Sequence, residues 1–195
     1  MIDARVPDPG NVVMIPEEAY SNPESILNAA GLLEFWTEIR GEVMPFLENL
    51  SEGDFTRPAE SGWNAAEIAD HIYLSQWNFA RTIPIIAKGR AGEDTSNIEP
   101  VRYGLITRGL NRPRGVKNPD NLSPVEPPDR PTTLANLNKA MDKLRKSLDG
   151  RTDEELRNRG AQHPYFGLVP LGVYIWAMAL HERMHFRALR AKMEG

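Results

Sequence analysis

The sequence predicts an all-α protein, a four-helix bundle with a long crossover loop between helices 2 and 3. Three observations carry that prediction. Four segments repeat their apolar residues with a period near 3.6. No segment alternates apolar and polar residues convincingly, as a half-buried strand would. Residues 89–130 hold six prolines and five glycines with little periodicity, so they read as a connection able to cross the whole bundle.

Residues 1–21 read as an N-terminal arm, because Pro7, Pro9, Gly10 and Pro16 interrupt any pattern. The bundle domain then spans 22–195. Asn22 followed by Pro23 is a helix-start signal. Ile26, Ala30, Leu33, Phe35, Ile39, Val43, Phe46, Leu47 and Leu50 mark the first amphipathic helix, with a kink or break expected at Pro45. The second helix is expected from about Asn64 to Lys88, opened by a capping box of Asn64 and Glu67. Its apolar arc contains Ile68, Ile72, Leu74, Phe79 and Ile86. Along the middle of that arc runs a polar line of Asn64, Glu67, His71, Ser75, Asn78 and Thr82. Polar groups inside an apolar arc need partners.

In the crossover, Arg102, Arg108, Arg112, Arg114 and Lys117 either cover a site or stay solvated. Leu134, Leu137, Met141, Leu144 and Leu148 give the third helix its buried stripe, from about Thr133 to Leu148. Thr152 with Glu155 is a second capping box, opening a short helical turn. Residues 162–167 read as a loop. The fourth helix is expected from about Pro170 to Met193 and carries the most informative pair, His181 and His185. Four residues apart on a helix, the two share a face. Leu171, Tyr174, Met178, Ala188 and Leu189 lie on their side, and Arg183, Arg187 and Arg190 fall opposite, toward water.

Composition narrows the functions open to such a bundle. A chain of 195 residues is one domain with room for a sizeable core. The formal net charge of −4 argues for no nucleic-acid or anionic-membrane partner. Absence of cysteine removes disulfides, thiolate ligands and cysteine nucleophiles. The first residues lack a basic start followed by an apolar core, so they do not read as a secretory signal. The longest apolar run, 173–180, is too short to span a bilayer. A cytoplasmic protein acting on a small molecule is the expectation.

Bringing the inward faces of helices two and four together would set His71 against His181 and His185. Three imidazoles leave a divalent ion with an open position, the pattern of catalytic rather than structural sites. An ion held in that way lowers the pKa of water or a thiol, or polarises a carbonyl. Each residue also has an ordinary reading: a satisfied core histidine, a chance i,i+4 pair, a capping Glu67, a core aromatic at Tyr174. Glu182 lies off the ligand direction and reads as a partner for Arg183 or Arg187. Trp63, Trp77 and Trp176 read as packing residues.

Gly62-Trp63-Asn64-Ala65-Ala66-Glu67-Ile68-Ala69-Asp70-His71 resembles the start of helix two in the DinB-like (DinB/YfiT) family of metal-dependent enzymes. His163-Pro164-Tyr165-Phe166-Gly167 followed by His181-Glu182-Arg183-Met184-His185 is similar to that family's C-terminal motif. The resemblance covers roughly 24–193. It implies a four-helix bundle holding nickel, zinc or a similar divalent ion on His71, His181 and His185, and commonly a homodimer. It further implies a thiol-dependent S-transferase, using a low-molecular-weight thiol, or a hydrolase. Glu67 is then a candidate for orienting an imidazole or carrying a proton, and Tyr174 a candidate for lining the substrate pocket. His163 either reaches the open metal face or shapes the turn with Pro164, the second being favoured. The crossover here is longer than the family's. Two other readings stand beside the enzyme: a non-catalytic metal-binding stress-response or interaction protein, and a bundle whose histidines hold buried water.

Overall fold

The computed structural model describes residues 17–59, 62–110, 119–163 and 166–194. Among these, four long helices make the bundle: α1 (Ala29–Asn49), α3 (Ala65–Ala87), α5 (Arg130–Leu148) and α7 (Leu171–Glu194). Three shorter ones, α2 (Glu52–Thr56), α4 (Tyr103–Leu110) and α6 (Asp153–Asn158), sit between them. The all-α bundle expected from the periodicities is what the chain forms. Phe35, Trp36, Ile39, Leu47, Ile72, Ile83, Leu137, Leu144 and Trp176 form its buried centre. Each such side chain removed from water contributes about 1.5–3 kcal/mol.

Helix ends follow local chemistry. Asn64 Oδ1 accepts from Glu67 N at 2.9 Å while Glu67 Oε2 accepts from Asn64 N at 2.8 Å, the reciprocal box that starts α3. Thr152 and Glu155 do the same for α6. At the first helix the start signal is displaced. Residues after Pro23 make only a 3-10 turn, Glu24–Ile26, and Asn28 is the true cap, its side chain accepting from Gly31 N at 2.9 Å. The chain packs so tightly there that a Cβ on Gly31 would sit 2.9 Å from Ile26 Cα. No break occurs at Pro45, which lies within α1.

Contacts give the helix directions. On α1, Trp36 and Arg40 meet Glu182 and Phe46 meets Arg190, so α1 and α7 run parallel. Arg40 reaches the Leu137 carbonyl while Arg130 reaches that of Glu48, so α5 opposes α1. On α3, Trp63 precedes the helix beside His185 while Phe79 stacks on Tyr174, so α3 opposes α7. Hence α3 and α5 run the same way, and the chain between them must return along the bundle. That is why the crossover is long. It is not structureless, as its composition suggested: it contains β1 (Glu93–Asp94), α4, and a 3-10 turn at Asp120–Leu122. Ile106 of α4 is buried, and Tyr103 packs edge-on to Trp176. Arg102 and Arg108 are exposed, the solvated alternative. Arg112, Arg114 and Lys117, like residues 1–16 of the arm, lie outside the described residues. Ala19 is buried, and its carbonyl accepts from Trp176 Nε1 at 3.0 Å.

A second correction concerns residues 159–170. They form a hairpin, β2 (Arg159–His163) and β3 (Gly167–Pro170), which with β1 makes a small antiparallel sheet in the order β1-β2-β3. The register pairs Gly160 with Pro170 and His163 with Gly167. These strands carry few β-branched residues, so composition hid them. Gly160 is required by approach rather than conformation: a Cβ there would lie 2.1 Å from the Val169 carbonyl oxygen. The hairpin delivers the chain directly into α7.

Candidate metal centre

His71 comes from the second turn of α3 and His181 and His185 from the middle of α7. The opposed helices bring all three together, with one ligand atom from each lying within 4.8 Å of the others. His181 Nε2 and His185 Nε2 stand 3.1 Å apart. Two imidazole nitrogens on one tetrahedral ion at about 2.0–2.1 Å stand roughly 3.3 Å from each other, so this pair is spaced as ligands are. His71 is almost fully buried, and its Nδ1 lies 2.7 Å from the Leu122 carbonyl. A proton donated there leaves Nε2 with its lone pair, and that nitrogen is buried without a hydrogen-bond partner. The three side chains therefore fit a divalent ion. The crossover supplies the carbonyl that orients one of them.

Electrostatics favour the neutral, ligand form. Burial pushes the His71 imidazole below its ordinary range, against the smaller opposing effect of the Leu122 carbonyl. His181 falls well below, first from burial and then from His185, His71 and His163 nearby. His185 is lowered to about 4 by burial and by His71. Trp63 packs on the cluster, its ring centroid 4.8 Å from that of His71 and 6.5 Å from that of His185.

The other predicted residues lie around this centre in different ways. Tyr174, two turns before His181, is half-buried and stacks on Phe79 with centroids 4.4 Å apart. Burial raises its phenol pKa. His163, at the end of β2, stacks on Phe166 at 4.4 Å and tilts against Tyr174 at 5.0 Å; burial lowers it to about 4. Pro164 is outside the described residues. Glu67 spends one carboxylate oxygen on the cap of α3. Arg187 and Arg190 are exposed as expected, but Arg183 lies half-buried, 3.6 Å over the Tyr20 ring, and Ala188 is exposed.

Glu182 overturns its expected pairing. It is 0% exposed and meets neither Arg183 nor Arg187. Its Oε2 accepts from Trp36 Nε1 at 2.6 Å and also from Gln76 Nε2, while Oε1 accepts from Arg40 Nε at 2.7 Å. Arg40 also donates to Gln76 Oε1 and to the Leu137 carbonyl. The buried carboxylate and the guanidinium it holds thus tie α1, α3, α5 and α7 together, in the same turn that carries the histidines. A signal for it exists in the sequence: Arg40 interrupts the apolar stripe of Trp36, Val43 and Leu47 on α1.

Among the described residues no helix is long and apolar enough to cross a membrane. No curated protein sequence matches the chain. A solved structure is similar, that of YfiT from Bacillus subtilis, described as a probable metal-dependent hydrolase with an unusual four-helix bundle topology. It superposes with a TM-score of 0.54 at 19% identity, over 85% of this chain and 87% of that one, which shows a shared fold. The sequence profile of the DinB superfamily matches residues 22–189. With the bundle, its crossover and the histidine group, that match makes this chain a member of the DinB superfamily.

Proposed function

We propose that the protein is a metal-dependent hydrolase of a small molecule bearing an electrophilic acyl centre. One observation carries the reading: three neutral imidazoles converge, and His71 Nε2 is buried with no hydrogen-bond partner among the described residues. The description of the similarly folded YfiT as a probable metal-dependent hydrolase supports it. When bound, a divalent ion supplies a Lewis acid for activating water and polarising the substrate. His71, His181 and His185 hold it, and Leu122 keeps His71 in the tautomer that can. Trp63 shields one side of the cluster from water. The carboxylate of Glu182 locks the rotation of α7, and so the direction of both its histidines.

Protein purified without a polyhistidine tag is expected to bind about one equivalent of divalent metal and to hydrolyse members of an activated ester and amide panel. His185→Ala should weaken metal binding by about 100-fold or more and abolish turnover, with the metal-free fold kept to within about 1 kcal/mol. Failure to take up metal sinks the reading. Turnover that requires an added low-molecular-weight thiol, with water unable to replace it, moves the assignment to S-transfer. Stoichiometric metal whose removal collapses the fold favours a structural, non-catalytic ion.

A further inference from the structure

The polar line on α3 offers a test of what the chain leaves for a ligand. Asn64 and Glu67 satisfy each other. Asn78 Nδ2 donates to the Leu74 carbonyl at 2.9 Å, and Thr82 Oγ1 donates to that of Phe79 at 2.7 Å. His71 Nδ1 is met by Leu122. Among the described residues, two buried atoms on this line remain without a partner, His71 Nε2 and Ser75 Oγ, one helical turn apart on one face. Ser75 is only 6% exposed. A buried hydroxyl without a partner is costly unless something arrives to meet it.

Opposite this face, α7 is sealed almost completely. From 171 to 182 every residue is buried except Tyr174, Met178 and His181, spaced four and three apart on one stripe. The stripe is therefore the part of this stretch that reaches solvent, beginning at the histidines. Phe79, half-buried on α3, stacks on Tyr174 at the far end of the stripe. His163 and Phe166 flank Tyr174 from the hairpin. Tyr174 precedes His181 by seven residues, about 10 Å along the axis, a length that matches one ring beyond the reacting group. Met178 gives the stripe a polarisable middle and the Phe79–Tyr174 pair gives it an aromatic end, surfaces on which flat rings pack well.

Resting on the metal-dependent reading above, we propose that this stripe is the floor of a slot that seats the non-reacting arm of the substrate, that the arm is an uncharged arene, and that the Ser75 hydroxyl hydrogen-bonds the polar group joining it to the reacting centre. The acyl centre then lies at His71, His181 and His185 while the ring lies over Met178.

The test is calorimetric binding of benzohydroxamate, cyclohexanecarbohydroxamate and acetohydroxamate to the full chain loaded with zinc, with zinc content measured first. Benzohydroxamate is expected to bind about tenfold or more tightly than either of the others. Met178→Trp, a change at a half-exposed position, should fill the slot and erase that preference, with zinc content measured again on the variant. Ser75→Ala should weaken benzohydroxamate several-fold. Equal affinity for the three compounds at full zinc occupancy overturns the arene slot and leaves the metal reading standing, as does a preference that survives Met178→Trp. Unchanged affinity in Ser75→Ala overturns the role of its hydroxyl. A chain that takes up no zinc overturns both readings together.

Discussion

Two polar clusters occupy the same stretch of α7, and they are built on opposite terms. Glu182, Arg40, Gln76 and Trp36 form a closed set, in which the buried carboxylate accepts from three residues and the guanidinium is shared among carboxylate, amide and backbone carbonyl. His71, His181 and His185, about a quarter-turn away, form an open one. They are neutral, close enough to repel if charged, and leave His71 Nε2 and His181 Nδ1 buried without partners. A closed cluster holds helices in place. An open cluster, kept in position by the closed one, is where a ligand is missing. The difference assigns roles that residue type alone does not: Glu182, next in sequence to His181, belongs to the closed set and not to the open one.

The largest effect expected from this contrast is in the closed cluster. Glu182→Ala strands the Arg40 guanidinium inside four packed helices, and should cost about 3–5 kcal/mol in urea unfolding. Arg40→Met combined with Glu182→Leu removes both charges and should cost far less than the two single changes added together. Near-additive losses would show that the two do not act as one unit.

A smaller effect separates the clusters by pH. Burial holds His185 and His163 at about 4 in the folded protein, while an unfolded histidine titrates near 6.5. Between those values the unfolded chain binds protons that the folded chain refuses. The contribution of each group is therefore fully present above about pH 6.5 and is lost as pH falls toward 4, by up to about 1.4 kcal/mol per pH unit per group. His71 and His181 act in the same direction. Urea unfolding of metal-free protein between pH 7 and 4.5 should show this slope, and His185→Gln should flatten it. Divalent metal at about 100 times its dissociation constant should add about 2.7 kcal/mol near neutral pH, a gain that fades on acidification as protons compete for the same nitrogens. A flat profile in metal-free protein would contradict the open cluster's description.

How far these features can be read from sequence follows from how local their causes are. The stripes of α3, α5 and α7 are set by neighbours three and four positions away, and so are both capping boxes. The pairing of His181 with His185 is equally local. His71 could join them in anticipation because it sits on an inward face, where a polar group demands a partner. The closed cluster could not be assembled in this way: its members lie at positions 36, 40, 76 and 182, and only their packing shows that Glu182 faces Arg40 rather than Arg183. The hairpin at 159–170 escaped for a related reason. Its strands are held by backbone pairing and by Gly160 lying against Val169, not by alternating side chains. The beginning of α1 shows how a local signal is displaced, because the turn after Pro23 packs before the helix starts and Asn28 takes over as cap.

Glu67 gives the finest test of the contrast, because it sits one turn from His71 and proximity alone does not say which kind of cluster it joins. Its bonds group it with the closed kind: Oε2 accepts from Asn64 N, and its own amide donates to the Asn64 side chain. Glu67→Gln keeps an acceptor oxygen at the same reach, so the box survives and stability should change by no more than about 0.5 kcal/mol. Glu67→Ala removes the acceptor and should cost about 1 kcal/mol. If Glu67 only caps the helix, the Gln variant retains turnover and its pH profile. A proton-carrying Glu67 would instead lose turnover in Gln as severely as in Ala, with the metal still bound, and would have to be placed with the histidines after all.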